Sequence, residues 1–201
     1  MAKIIGVSGP QGAGKTTLIN GLFDKGVFVD NYKVSRDVQQ ALGWESLDNV
    51  LNEVDTMIEF QNMILQRKIA RERLNAGRAE IYVLSERTFA DIASYTQLWT
   101  WELVHAGKWP VGKALEFLIE YVETCAEYQH VYEGILLLPY MSHMKWEHDK
   151  HRASEAHVDF ISEQLDRFLE AKTPRSVPVF RITESSVDGR INQAHDWIKT
   201  L

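Results

Sequence analysis

Eight residues near the start of the chain, Gly9-Pro10-Gln11-Gly12-Ala13-Gly14-Lys15-Thr16, restrict its fold more than any other stretch. Their glycines lack the Cβ atoms that would keep a backbone from wrapping tightly. The octet fits G-x-x-x-x-G-K-[ST], a pattern that gains meaning only between a strand and a helix. Both neighbours are present. Lys3 to Ser8 is a short apolar run bounded by Gly9-Pro10, which suits a buried parallel strand. Lys15 to Lys25 is helix-compatible through Leu18, Ile19, Leu22 and Phe23. Such a strand, loop and helix aims loop N–H groups and the positive end of the helix at one spot, where phosphate oxygens are favoured. Gly9, Gln11, Gly12, Ala13, Gly14, Lys15, Thr16 and Thr17 are therefore expected to hold a nucleoside triphosphate. Lys15 would bridge its β- and γ-phosphates, and Thr16 would hold Mg²⁺ through its hydroxyl. The loop says no more than that, because hydrolases, motors and kinases share it.

The rest of the chain alternates strand and helix. After Gly26, Val27 to Val29 reads as a second strand, and Asn52 to Asn75 as a long helix with Val54, Met57, Ile58, Ile64 and Leu65 on one face. Ile81 to Leu84 is a third strand, followed by helices at Thr88 to Trp101 and Val111 to Tyr128. Gly134 to Leu138 is a fourth strand, stopped by Pro139. Residues 140–153 are polar, rich in His and without periodicity, as in a mobile loop. A helix with Val158, Ile161, Leu165 and Phe168 follows, then a fifth strand at Val177 to Ile182 and a last helix marked by Ile191, Ala194, Trp197 and Ile198. This alternation predicts an α/β, three-layer fold around a five-stranded parallel sheet. With 201 residues, no internal repeat and no low-complexity linker, residues 1–201 are expected to form a single domain.

Charge and cysteine usage narrow the partners. A net charge of −6 does not supply the basic field that tracks a nucleic-acid backbone, although a local patch would restore that option. The single Cys125 allows no internal disulfide, and no apolar signal segment follows Met1, so a cytoplasmic protein is expected. Cys125 reads as a buried thiol. No run approaches the roughly 20 apolar residues that span a bilayer. Trp99, Trp101, Trp109 and Trp146 read as core or as contacts within a homo-oligomer, while Phe89, Tyr95 and Trp99 could stack on a base.

Ser85-Glu86-Arg87-Thr88 falls at the carboxyl end of the third strand, where crevices open in α/β sheets. There Glu86 can take a metal or an acceptor hydroxyl and Arg87 can clamp phosphate; alternatively the pair is only charge before a helix capped by Thr88. The octet, Ser85-Glu86-Arg87-Thr88-Phe89-Ala90-Asp91-Ile92-Ala93-Ser94-Tyr95 and Asp149-Lys150-His151-Arg152 together resemble small AAA-type P-loop kinases. The resemblance is to the ribosylnicotinamide kinase domain and, more loosely, to deoxynucleoside kinases and bacteriophage-encoded nucleotide kinases. It implies ATP and Mg²⁺ as cofactors and a lid at about residues 140–153. It also implies catalytic roles for Lys15, Glu86, Arg87 and Arg152, and metal binding at Thr16 and Glu86. Acceptor contacts would come from Arg36, Gln61, Arg87 and Tyr95. Phe60-Gln61 is similar to the pair with which deoxynucleoside kinases read a base. Gln61 lies in phase with the apolar face of its helix, so its amide needs a partner, either a base edge or a neighbouring strand.

One position departs from the family pattern. Where related chains carry an acid in a Glu-x-x-Arg arrangement, this one has Lys33-Val34-Ser35-Arg36, which leaves Asp30, Asp37 and Glu86 as candidate bases. His143, His148 and His151 are irregularly spaced and do not read as a metal site. The reading carried forward is ATP-dependent phosphoryl transfer to a small nucleoside or nucleotide. The alternatives are a kinase of a modified base in a polynucleotide and a nucleotide-dependent switch or assembly ATPase.

Overall fold

A computed structural model describes residues 1–30, 32–140 and 154–201. Among the described residues, β1 Lys3–Ser8, β2 Phe28–Asp30, β3 Tyr82–Glu86, β4 Gly134–Leu137 and β5 Val179–Arg181 form one parallel sheet. Its order is β2-β3-β1-β4-β5, so the five-stranded parallel expectation holds. The helices are α1 Lys15–Asp24, α2 Val34–Ala41, α3 Val54–Ala76, α4 Phe89–His105, α5 Val111–Tyr128, α6 Glu155–Lys172 and α7 Val187–Ile198. None of them is long and apolar enough to cross a membrane.

The pleat of the strands produces the layers. Successive side chains of a strand point to opposite faces, so a strand buried on both sides must be apolar throughout. Ile4, Ile135 and Leu137 join a core with residues of α2, α3, α4, α5 and α6. Their neighbours Ile5, Val7 and Leu136 join a second core with α1 and α7. Gly6 belongs to the first face, and a Cβ there would meet Thr88 Cγ2 at 2.5 Å. Only a bare backbone lets the start of α4 lie that close to the central strand.

Several elements differ from the sequence expectation: β5 is confined to Val179–Arg181 within the expected Val177 to Ile182, and α4 runs past Trp101 to His105. β3 extends past the apolar run to Glu86, because Ser85 and Glu86 pair with Gly6 and Val7 of β1 whatever their side chains. α2 has no counterpart in the periodicity reading, since only Val34 and Val38 of its eight residues are buried.

A polar network is packed between α3 and the carboxyl ends of β2 and β3. Lys68 and Glu72, one helical turn apart, form an ion pair at 2.6 Å with side chains 3% and 1% exposed. Lys68 also donates to Ser85 Oγ at 2.8 Å and to the Glu86 carbonyl at 3.3 Å. Glu72 accepts from Ser85 Oγ at 2.6 Å and Tyr132 Oη at 3.1 Å. Asn75 continues the network to Asp30 at 2.8 Å. Removing one member of such a pair leaves a buried charge without its counter-ion. Lys68→Met is expected to lower the unfolding free energy by about 3–5 kcal/mol, read from urea denaturation followed by circular dichroism.

Candidate active site

The glycine loop begins where β1 ends. Gly9, Gly12 and Gly14 have φ of 151°, 82° and 87°, which side-chain-bearing residues rarely adopt. A Cβ on Gly9 would also meet the Leu138 carbonyl oxygen at 2.5 Å. Lys15 is the first residue of α1, and its Nζ donates to the carbonyls of Gly9 at 2.6 Å and Pro10 at 2.8 Å. Burial, with the cations Arg87 and Lys33 adding to it and Asp91 opposing, lowers the Lys15 ammonium to about 7. An ammonium so placed lacks counter-charge, and an anion at this spot is stabilising. Thr16 and Thr17 are exposed in the first turn of α1. An exposed hydroxyl is an oxygen donor of the kind that suits Mg²⁺.

Two side chains from distant segments brace the loop. Asp91 is fully buried, and its Oδ2 accepts from Ser8 Oγ at 2.7 Å and the Thr88 N–H at 2.8 Å. Its Oδ1 accepts from the Gly9 N–H at 3.3 Å. With Thr88 it also forms the capping box that starts α4. From α7, Arg190 donates to the Ala13 carbonyl at 3.1 Å and to the Glu184 carbonyl at 2.9 Å. Sequence reasoning assigned a role to neither residue. The spacing of Thr88 and Asp91 fits a cap and offered a signal, whereas nothing local marks Arg190, which is 177 residues from its partner in the loop.

Glu86 ends β3 and Arg87 follows it. Arg87 has φ of 62°, a left-handed conformation that costs a non-glycine residue about 1–3 kcal/mol. Its N–H nevertheless continues the sheet by donating to the Val7 carbonyl at 2.9 Å. Its guanidinium stacks over the Tyr95 ring, 4.5 Å from the centroid. Glu86 forms an ion pair with Lys33, the residue that stands where related chains carry an acid. The other two candidate bases are also engaged. Asp30 holds Arg71 through two bonds of 2.8 and 2.6 Å, and Asp37 pairs with Arg67 and accepts from Tyr32 Oη at 2.7 Å.

A cavity of about 910 Å³ opens beside the loop. It is lined by Gln11 of the loop, Arg36 of α2, Gln61 of α3, and Arg87, Tyr95 and Trp99. All four expected acceptor contacts thus share one space. Gln61 is 2% exposed; Thr96 Oγ1 donates to its Oε1 at 3.1 Å, and its NH₂ has no hydrogen-bond partner among the described residues. Phe60 beside it stacks on Trp44 at 5.1 Å. Phe89 does not reach the cavity: it is fully buried against Tyr128 and Tyr132, because capping at Thr88 turns it inward. Cys125 is a buried thiol, pushed up by burial as expected of a core residue. Arg152, with Asp149, Lys150, the three histidines and the rest of the lid at 141–153, lies outside the described residues.

A five-stranded parallel sheet whose central strand runs into a glycine loop and a lysine-led helix defines a P-loop nucleotide-binding fold. The chain belongs to the AAA domain family, whose model matches residues 4–190. Among curated proteins none matches significantly. Among solved structures it is similar to the NadR protein in complex with NR, at 16% identity and a TM-score of 0.67 over 99% of this chain. This chain spans 51% of that one, about half its length. It is also similar to the deoxyadenosine kinase from M. mycoides with bound dATP, at 13% identity and a TM-score of 0.66, covering 97% of this chain and 98% of that one. The resemblance to small P-loop kinases read from the motifs is thereby supported.

The left-handed backbone at Arg87 is separable from its charge. Arg87→Gly and Arg87→Ala both remove the guanidinium, but only glycine relieves the φ. Urea denaturation is expected to find the glycine variant more stable than the alanine variant by about 1 kcal/mol.

Proposed function

We propose that this protein transfers the γ-phosphoryl group of ATP to a small nucleoside-like or nucleotide-like acceptor. The observation that carries the reading is one cavity, continuous with the glycine loop at Gln11, that collects Arg36, Gln61, Arg87 and Tyr95. A switch or assembly ATPase needs the loop but not a second cavity of this size lined by aromatic and amide groups. The similarity to the NadR protein with NR and to a deoxyadenosine kinase supports the same choice.

Each residue has a role in this reading. Loop amides from Gly9 to Thr17, including those of Gln11, Gly12, Ala13 and Gly14, hold the triphosphate, and Lys15 exchanges its loop carbonyls for phosphate oxygens. Thr16 and Glu86 would hold Mg²⁺, which when bound neutralises phosphate charge. Arg87, braced on Tyr95, aims positive charge at the transferred group, where charge spreads in the transition state. Arg152 supplies a further cation from the lid. Gln61 presents its free amide hydrogens to the acceptor, and Tyr95 and Trp99 provide ring faces. The residues 1–201 act as one catalytic domain.

ADP release from ATP and Mg²⁺ is expected to rise when a nucleoside or nucleoside monophosphate is added, and Lys15→Ala should abolish that rise. Equal ATP consumption with and without every small acceptor would overturn the assignment. For Gln61→Ala, the ratio of kcat/KM between two acceptors that differ in base is expected to change about tenfold or more, with a smaller effect on ATP affinity. Unchanged selectivity would remove Gln61 from the base contact.

A further inference from the structure

We infer that Lys68, a buried residue that does not line the cavity, is a positioning residue for Arg87: it clamps the peptide leading into Arg87 and so holds the guanidinium where it faces the cavity. What Arg87 does there rests on the kinase reading above. How it is held rests on geometry alone.

Arg87 is the non-glycine residue with positive φ among the described residues, and a strained backbone of this kind persists only where its surroundings over-determine it. The φ and ψ of a residue are the relative orientation of the two peptide planes that meet at its Cα, so each plane needs an anchor. The plane before Arg87 is held from both sides. Its N–H, that of Arg87, donates to the Val7 carbonyl of β1 at 2.9 Å. Its carbonyl, that of Glu86, points the opposite way because the peptide is trans, and so faces the β2 side of β3. The register of β2 with β3 ends at Asp30, opposite Ser85. One residue further on, the donor to the Glu86 carbonyl is a side chain, Lys68 Nζ, at 3.3 Å. The plane after Arg87 is held by the Thr88 N–H, which donates to Asp91 Oδ2 at 2.8 Å. With both planes fixed, the left-handed turn follows, and the guanidinium comes to lie over Tyr95, about two turns into α4.

The anchors at Val7 and Asp91 belong to the sheet and to the capping box, which the fold needs in any case. Lys68 is different. It and Glu72 are 3% and 1% exposed, and an apolar pair of similar volume would be as stable as two charges taken out of water. What an apolar pair lacks is a donor for the Glu86 carbonyl. The ammonium is itself fixed, because it also donates to Ser85 Oγ at 2.8 Å and pairs with Glu72 at 2.6 Å. Glu72 is held in turn by Ser85 Oγ and Tyr132 Oη. Without the Lys68 bond the Glu86 carbonyl loses this donor, the peptide is free to rotate, and Arg87 relaxes to negative φ with its guanidinium off Tyr95.

The test uses the full chain carrying Lys68→Met with Glu72→Gln, which leaves no unpaired buried charge and keeps an acceptor for Ser85 and Tyr132. Lys68→Leu with Glu72→Met is the second doublet should the first not fold. Without any ligand, the Arg87 side-chain proton NMR signals, shifted upfield by the Tyr95 ring and identified by their loss in Arg87→Ala, are expected to move to the positions of free arginine. With ATP, Mg²⁺ and whichever of a panel of nucleosides and nucleoside monophosphates the unsubstituted protein turns over fastest, the doublet is expected to lower kcat about tenfold or more while the Kd for ATP stays within about twofold. In an Arg87→Ala background the same doublet should change kcat by less than about twofold, since the group it positions is gone. A merely structural role would lower kcat by the same factor in both backgrounds. That result, or unshifted Arg87 signals in the folded doublet, would overturn the inference and leave the kinase reading standing. Should the unsubstituted protein turn over no acceptor, the kinase reading falls, and the ligand-free signals alone decide whether Lys68 holds Arg87.

Discussion

The arrangement depends on one carboxylate, that of Asp91. It accepts from the last residue of β1, from the first glycine of the loop and from the N-cap of α4, and all of these groups are buried. A carboxylate inside a protein is tolerated only when its oxygens are satisfied, and here the donors are the parts that must be aligned. One interaction therefore fixes where the phosphate cradle starts and where the helix carrying Tyr95 and Trp99 begins. Gly6 contributes the space, since a side chain there would push Thr88 off the strand. Glycine loop and cavity wall are held in register by this one contact.

Much of the framework was legible in the sequence because its signals are local. The octet, the apolar runs of β1 and β4 and the face of α3 each follow from spacing within a few residues, and each lies where expected. The end of β3 was misjudged because Ser85 and Glu86 break the apolar run, while what keeps them in the sheet is pairing with β1. α2 was missed for the complementary reason: two buried valines do not make a period. The candidate site was legible as residue types and less so as partnerships. Arg36, Gln61, Arg87 and Tyr95 do gather around one cavity. The bond between Lys33 and Glu86 joins positions 53 apart, and no window along the chain reveals it. It turns an apparent departure from the family pattern into a contact with the residue singled out at the end of β3.

Electrostatics gives the site its character. Lys15, Lys33, Arg36 and Arg87 act on one another electrostatically in a protein whose overall charge is negative, and Arg36 and Arg87 line the cavity. Such a local concentration opposes folding of the ligand-free chain. It is offset by the stacking of Arg87 on Tyr95 and by the pair between Lys33 and Glu86. The same repulsion favours anionic ligands, because each phosphate that enters relieves it.

The cradle is continuous in the chain, from β1 through the loop to α1, within residues 3–24. The cavity walls instead come from α2, the segment at 44–51, α3, α4 and the start of α6, and apart from Gln11 the lining positions are spread from 34 to 157. The glycine loop is thus one short block, whereas the cavity is divided among several elements. Substitutions in α2, α3 or α4 can therefore reshape the cavity one wall at a time without touching the block from β1 to α1.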